Sequence, residues 1–205
     1  MSSNLLLFII IINIISLNSS KKSEIKIKRK FLIADSEIVL RIYGKGTQQI
    51  LYPNFKPIPY ALEIISSICF NYTMYNLKNE NNELIMKFNN TITSCENIFF
   101  DSINITQIDM TKFDFTKVTS MKTMFYVNKN FLKIKLNTNT KISKIENLEG
   151  MFEGCYLLES LDLSILDTSL VTNMASMFKE CYKLNYLQIY NFNTSFVRDM
   201  KYMFY

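Results

Sequence analysis

Four cysteines and one aligned set of oxygen-bearing side chains are the residues that could carry chemistry in this 205-residue chain. Cys155 and Cys181 stand 26 residues apart, as do Cys69 and Cys95. Paired thiols invite three readings: a disulfide, a metal site, or small buried hydrophobes. Metal binding is disfavoured, because the chain has no histidine and no C-x-x-C spacing. Cys155 and Cys181 read best as free buried thiols, while Cys69 and Cys95 are the candidates for a disulfide. Asp114, Asp167 and Asn193 form a column that stacked carboxylates could turn into a calcium site. With two carboxylates and one amide, Asx-turns that close a bend explain it without a metal. There is no G-x-S-x-G elbow and no phosphate loop. No cofactor and no catalytic constellation is therefore expected, and the chain reads as non-enzymatic.

These columns exist because the sequence repeats. Met124-Phe125, Met151-Phe152, Met177-Phe178 and Met203-Phe204 recur at intervals of 27, 26 and 26, and the offset carried upstream reaches Ile98-Phe99. Apolar triplets follow in step: Ile105/Ile108/Met110, Phe131/Ile134/Leu136, Leu158/Leu161/Leu163 and Leu184/Leu187/Ile189. One extra residue between Leu136 and Ile145 accounts for the single 27. The last two positions of each triplet have period two and face one side of a strand. The i, i+3, i+4 spacing of Met174, Met177 and Phe178 predicts a short helical turn. Ser120, Asn147, Asn173 and Asp199 precede these turns and are N-cap types. A single rung cannot stabilise itself: a buried Leu or Phe yields about 1.5–3 kcal/mol, whereas each ordered residue costs roughly 1–2 kcal/mol of backbone entropy. Stacked neighbours complete the burial.

The repeat Val171-Thr-Asn-Met-Ala-Ser-Met-Phe-Lys-Glu-Cys-Tyr182, continued by Leu184/Leu187/Ile189 and bounded by Asp167-Thr168-Ser169 and Asn193-Thr194-Ser195, resembles the BspA-like leucine-rich-repeat surface proteins. The resemblance covers about residues 94–205. It implies a secreted or surface-exposed microbial or protist protein used in adhesion and binding, without catalysis. The expected fold is an α/β repeat solenoid of leucine-rich-repeat type, with parallel short strands and short helical turns, on a small β-rich N-terminal cap. About four rungs fill 94–205, and the array reads as truncated at Met203-Phe204-Tyr205. An end-to-end surface coat, assembled through that open last repeat, is the alternative function.

Upstream, residues 1–20 carry no charged side chain, and an apolar core from Leu5 to Ile12 reads as a signal peptide. Residues 21–30 form a basic tail, six cationic side chains against Glu24, in a chain whose net charge is +5. That tail follows the apolar run instead of preceding it, so an uncleaved N-terminal segment, or an anchor not seen, is the expected route to any membrane association. Nucleic-acid binding is excluded, because no folded part is basic. In residues 31–93, Glu37–Tyr43 and Leu84–Phe88 read as strands, and 61–71 as helix or strand. Four N-glycosylation sequons start at Asn71, Asn89, Asn104 and Asn193.

The surface where a protein or glycan ligand would meet this array is the outward side of its strands. It comprises Gln107 and Asp109, Lys133 and Lys135, Ser160 and Asp162, Tyr186 and Gln188. Alternating charge at Asp109, Lys135 and Asp162 suits cross-strand pairing. Tyr186 is the strongest single contact candidate, since aromatics are enriched at binding hot spots.

Overall fold

The computed structural model describes residues 36–43, 46–49, 61–64, 67–69, 74–77, 81–88 and 91–205. The signal peptide, the basic tail and the sequons at Asn71 and Asn89 lie outside them. Among the described residues ten strands form: β1 (Ser36–Tyr43), β2 (Gly46–Gln49), β3 (Ala61–Ile64), β4 (Ser67–Cys69), β5 (Met74–Leu77), β6 (Asn81–Phe88), β7 (Ile105–Lys112), β8 (Lys133–Lys135), β9 (Ser160–Asp162) and β10 (Tyr186–Gln188). The undecided segment 61–71 thus contains two strands.

β1 and β6 arise from strict alternation. Ile38, Leu40 and Ile42 of β1 and Leu84, Met86 and Phe88 of β6 are buried, with Glu37, Arg41 and Glu83 on the opposite side. The two strands pair antiparallel from Ser36↔Phe88 to Tyr43↔Asn81. β1 pairs antiparallel on its other edge with β7, the first strand of the repeats, which pairs in parallel with β8. The resulting sheet runs β3-β6-β1-β7-β8, so the N-terminal strands and the repeats share one sheet across residue 93. β2-β5-β4 form a second sheet and β9-β10 a third, parallel one.

The repeats stack as expected, but the leucine-rich-repeat class is overturned: no helix forms among the described residues, and the fold is all-β. The reason lies in where the N–H groups go. In a helical turn each would bond the carbonyl four residues back. Here alternate N–H groups leave the rung instead. Leu148, Gly150, Phe152 and Gly154 donate to the carbonyls of Asn173, Ala175, Met177 and Lys179 in the next rung, at 2.8–2.9 Å. The N–H groups between them close four-residue β-turns, as in Met151→Leu148 and Glu153→Gly150. The same row recurs from Cys95 to Asp101, from Met121 to Val127 and from Met174 to Glu180. It requires left-handed backbone at two positions per rung. Asn97, Thr123, Gly150, Ser176 and Tyr202 occupy one of them, and Asp101, Val127, Gly154 and Glu180 the other, with φ between 50° and 74°.

The predicted cap residues do make their bond. Lys122, Glu149, Ala175 and Lys201 N–H groups donate to the side chains of Ser120, Asn147, Asn173 and Asp199. These caps also link rung to rung in a line of parallel bridges starting at Ser94. The core is the expected set of columns. Phe99, Phe125, Phe152, Phe178 and Phe204 stack with centroids 5.2–6.0 Å apart and nearly parallel planes.

Candidate functional site

Strand parity places Gln107, Asp109, Lys133, Lys135, Ser160, Asp162, Tyr186 and Gln188 on the outward side, opposite the buried Ile108 and Leu161. The register aligns Gln107 with Lys133 and Asp109 with Lys135, then Ser160 with Tyr186 and Asp162 with Gln188. The eight do not form one continuous ladder. β8 and β9 belong to different sheets, and the break falls beside the segment that carries the extra residue.

The structure adds a groove to the first half of this surface. It has a volume of about 220 Å3 and is lined by Arg41 of β1, Glu83 of β6, Gln107 and Asp109 of β7, and Lys133 and Lys135 of β8. Arg41 donates to Gln107 Oε1 at 2.8 Å and lies 3.8 Å from Glu83. Lys135 stands 3.5 Å from Asp109, which accepts bonds from the Thr111 N–H at 3.1 Å and hydroxyl at 2.7 Å. Partial burial works to raise the Asp109 pKa, but these bonds and the Lys135 charge outweigh it and hold the carboxyl below its usual range. Among the described residues, Lys133 faces the groove with no ion pair. The groove thus presents fixed charges of both signs, a polar amide and one uncommitted ammonium group. Arg41 and Glu83 escaped the repeat-based reading because they precede the repeats. Their signal was strand parity, Arg41 lying between the buried Leu40 and Ile42.

On the second half, Tyr186 is exposed and its hydroxyl pairs with Gln188 Oε1 at 2.6 Å. Asp162 accepts the Ser164 N–H in a local turn at 2.9 Å.

The Asp114, Asp167 and Asn193 side chains accept the N–H groups of Thr116, Ser169 and Ser195 at 2.9–3.0 Å, which are the Asx-turns expected. Bonding from the Ser169 hydroxyl and then its N–H holds the Asp167 carboxyl below its usual range. Among the described residues, no group of three or more His, Cys, Asp and Glu is placed to hold a metal ion. Cys95 is a fully buried thiol; the Cys69 side chain, and with it the expected bridge, lies outside the described residues. Cys155 and Cys181 are free and donate their S–H groups to the Phe125 and Phe152 carbonyls at 3.2 and 3.1 Å. Burial pushes the Cys181 thiol up to about 12 and raises the Cys95 and Cys155 thiols well above their usual range. One rung earlier, Asn128 fills the same column, and its amide donates to the Phe99 carbonyl. The column is therefore a line of donors that satisfies the carbonyls of the aromatic stack, a role the sequence reading missed. The remaining sequons differ in exposure: Asn193 is exposed and Asn104 half-buried.

Fold and surface together define an all-β stack of 26-residue rungs with an outward, mixed-charge strand face. The chain belongs to the family described as Mycoplasma protein of unknown function, DUF285, whose model matches residues 65–155 and 134–205. No curated protein and no solved structure matches it.

Proposed function

We propose that the chain is a non-catalytic binding protein that acts outside the cell or at its surface, through the outward strand face. The observation that carries this reading is the groove between Arg41, Glu83, Asp109 and Lys133. Apart from Lys133, its charged groups are paired with neighbours, so a ligand meets them with little side-chain ordering left to lose. Charges of both signs and an uncommitted Lys133 suit a protein or glycan that carries carboxylates beside hydroxyl or amide groups. The resemblance of the repeat to BspA-like surface proteins and the apolar run at residues 1–20 support an exported site of action. Among the described residues no helix is long and apolar enough to cross a membrane.

The test is binding of the purified chain to immobilised acidic oligosaccharides, neutral oligosaccharides and acidic peptides. Lys133→Glu with Arg41→Glu should abolish capture by the acidic probes while leaving the melting temperature within about 2 °C, as expected of exposed positions. Capture indifferent to both substitutions, or lost in a chain lacking residues 1–30, would remove the groove from the reading.

A further inference from the structure

The groove over β6, β1, β7 and β8 offers its ligand side chains and withholds its main chain. An extended peptide is held chiefly by main-chain bonds at a free sheet edge. β6, β1 and β7 are each paired along both edges, so their N–H and C=O groups are spent within the sheet. The register sets Glu83, Arg41, Gln107 and Lys133 in one line across the four strands. Val39, Asp109 and Lys135 form the line beside it. Donors and acceptors are both left over in the first line. Gln107 accepts from Arg41 through Oε1, and its own amide N–H groups meet no acceptor among the described residues. Glu83 has the loose 3.8 Å contact with Arg41 and keeps accepting capacity on its oxygens. Half-buried Val39 is the apolar spot between these groups. The charges do not cancel, since Arg41, Lys133 and Lys135 are three cations against the two carboxylates of Glu83 and Asp109. The volume of about 220 Å3 lies below the roughly 300–1,000 Å3 of sites for drug-sized ligands, which suits one small unit.

We infer that this groove binds a single acidic sugar unit of the uronic acid class, an assignment that rests on the groove being the binding site proposed above. The unmatched cation, Lys133, takes the sugar carboxylate as a charge-assisted bond. Each ring hydroxyl can donate once and accept twice. The hydroxyls therefore donate to Glu83 and accept from the Gln107 amide, which no other group in the groove satisfies. The C–H face of the ring rests on Val39 and displaces water from it. Every unmet group of the groove thus finds its complement on one small ligand. An acidic peptide also brings a carboxylate, but its main-chain N–H and C=O groups find no sheet edge to pair with, and it has no hydroxyls for Glu83.

The test uses the full chain and three soluble probes. Methyl glucuronide carries carboxylate and hydroxyls, methyl glucoside the hydroxyls without the carboxylate, and acetyl-Gly-Glu-Gly-amide the carboxylate without hydroxyls. Saturation-transfer NMR titrations read the affinity of each and the ring face in contact. The glucuronide should bind in the millimolar range set by its size. The glucoside and the peptide should each bind about tenfold more weakly or worse, the effect of losing a hydrogen bond to a charged group. Saturation should fall on the protons of one ring face more than on those of the other. Lys133→Ala should bring the glucuronide down to the level of the glucoside, and circular dichroism melting of this variant keeps a folding defect separate from a binding defect. If the peptide binds as tightly as the glucuronide and both depend on Lys133, the groove stays the binding site and the sugar assignment is overturned. Equal affinity for glucuronide and glucoside overturns the acidic class. If no probe binds, or binding is blind to Lys133→Ala, the groove itself is lost as the site and the sugar assignment with it.

Discussion

Gly154→Ala distinguishes two backbones that the spacing of this repeat admits. In a helical turn the substitution stabilises, since alanine is better than glycine by about 0.8–1.0 kcal/mol in a helix interior. In the observed row Gly154 has φ +74°, and an added Cβ would sit 3.1 Å from the Cα of Val127, an atom that cannot rotate away. The left-handed conformation costs a residue with a Cβ about 1–2 kcal/mol, and the smaller entropy of the unfolded chain returns only about 0.4–1 kcal/mol. With the close contact added, the net loss is roughly 1–2 kcal/mol, or about 2–8 °C in melting temperature for a unit of this size. Gly150→Ala should lose less, because its new Cβ meets the end of the Thr123 side chain at 3.2 Å. Ser176→Gly, at φ 56°, should be neutral or stabilising by up to ~1.5 kcal/mol. Thermal melts of the three variants beside the parent chain decide the matter. If both alanines raise the melting temperature and Ser176→Gly lowers it, the row is helical and its N–H groups bond within the rung instead of to the next one.

Phe152→Ala, in the middle of the ring stack and fully buried, should cost about 3–5 kcal/mol in a denaturant titration. Asn128 Oδ1 is buried with no partner among the described residues. Asn128→Cys, which installs the residue found one rung on, should keep a donor for the Phe99 carbonyl and raise stability by about 1 kcal/mol. The three thiols with raised pKa values bind their protons in the folded state and release them when unfolded near pH ~8.5. Their contribution to stability is therefore whole below that pH and falls as the pH rises from there towards 12, and Cys181→Ala with Cys155→Ala should flatten the alkaline limb of a stability–pH curve. A thiol-specific reagent at pH 8 should modify half-buried Cys181 faster than Cys95 or Cys155, with all three reacting fully in denaturant.

The sequence reading reached the rungs, the aromatic columns, the strand parity and the Asx-turns, because each rests on a spacing that a single geometry satisfies. It failed on the row because Met174, Met177 and Phe178 share one side both in a helical turn and in a chain of four-residue β-turns. The cap side chains were no arbiter, since Asn173 accepts the Ala175 N–H at 2.9 Å whichever backbone follows. A hint was present in Thr123 and Gly150, which are poor helix formers inside the predicted turns. Hydrogen bonds between rungs leave no mark on a local pattern, and so the donor role of Asn128, Cys155 and Cys181 could not be read either. On the strand face, the repeat supplied eight outward residues but not the two from β1 and β6 that complete the groove.

The alternation of N–H groups also sets what lengths of chain this architecture tolerates. Within 120–127, inserting one residue would exchange, beyond the insertion, the groups that leave the rung with those that close its turns, and the row's bonds to the next rung from that point on would be lost. Between Leu136 and Ile145 no such parity applies, and there the array carries its one additional residue. Each rung thus has a rigid stretch, in which length is fixed, and a slack stretch, in which it can drift. Whole rungs can be gained or lost by recombination in units of 26 or 27 residues with every donor still facing its acceptor. Single-residue drift should collect in the slack stretch, and it is there that a tag or a loop can be inserted without unravelling the stack.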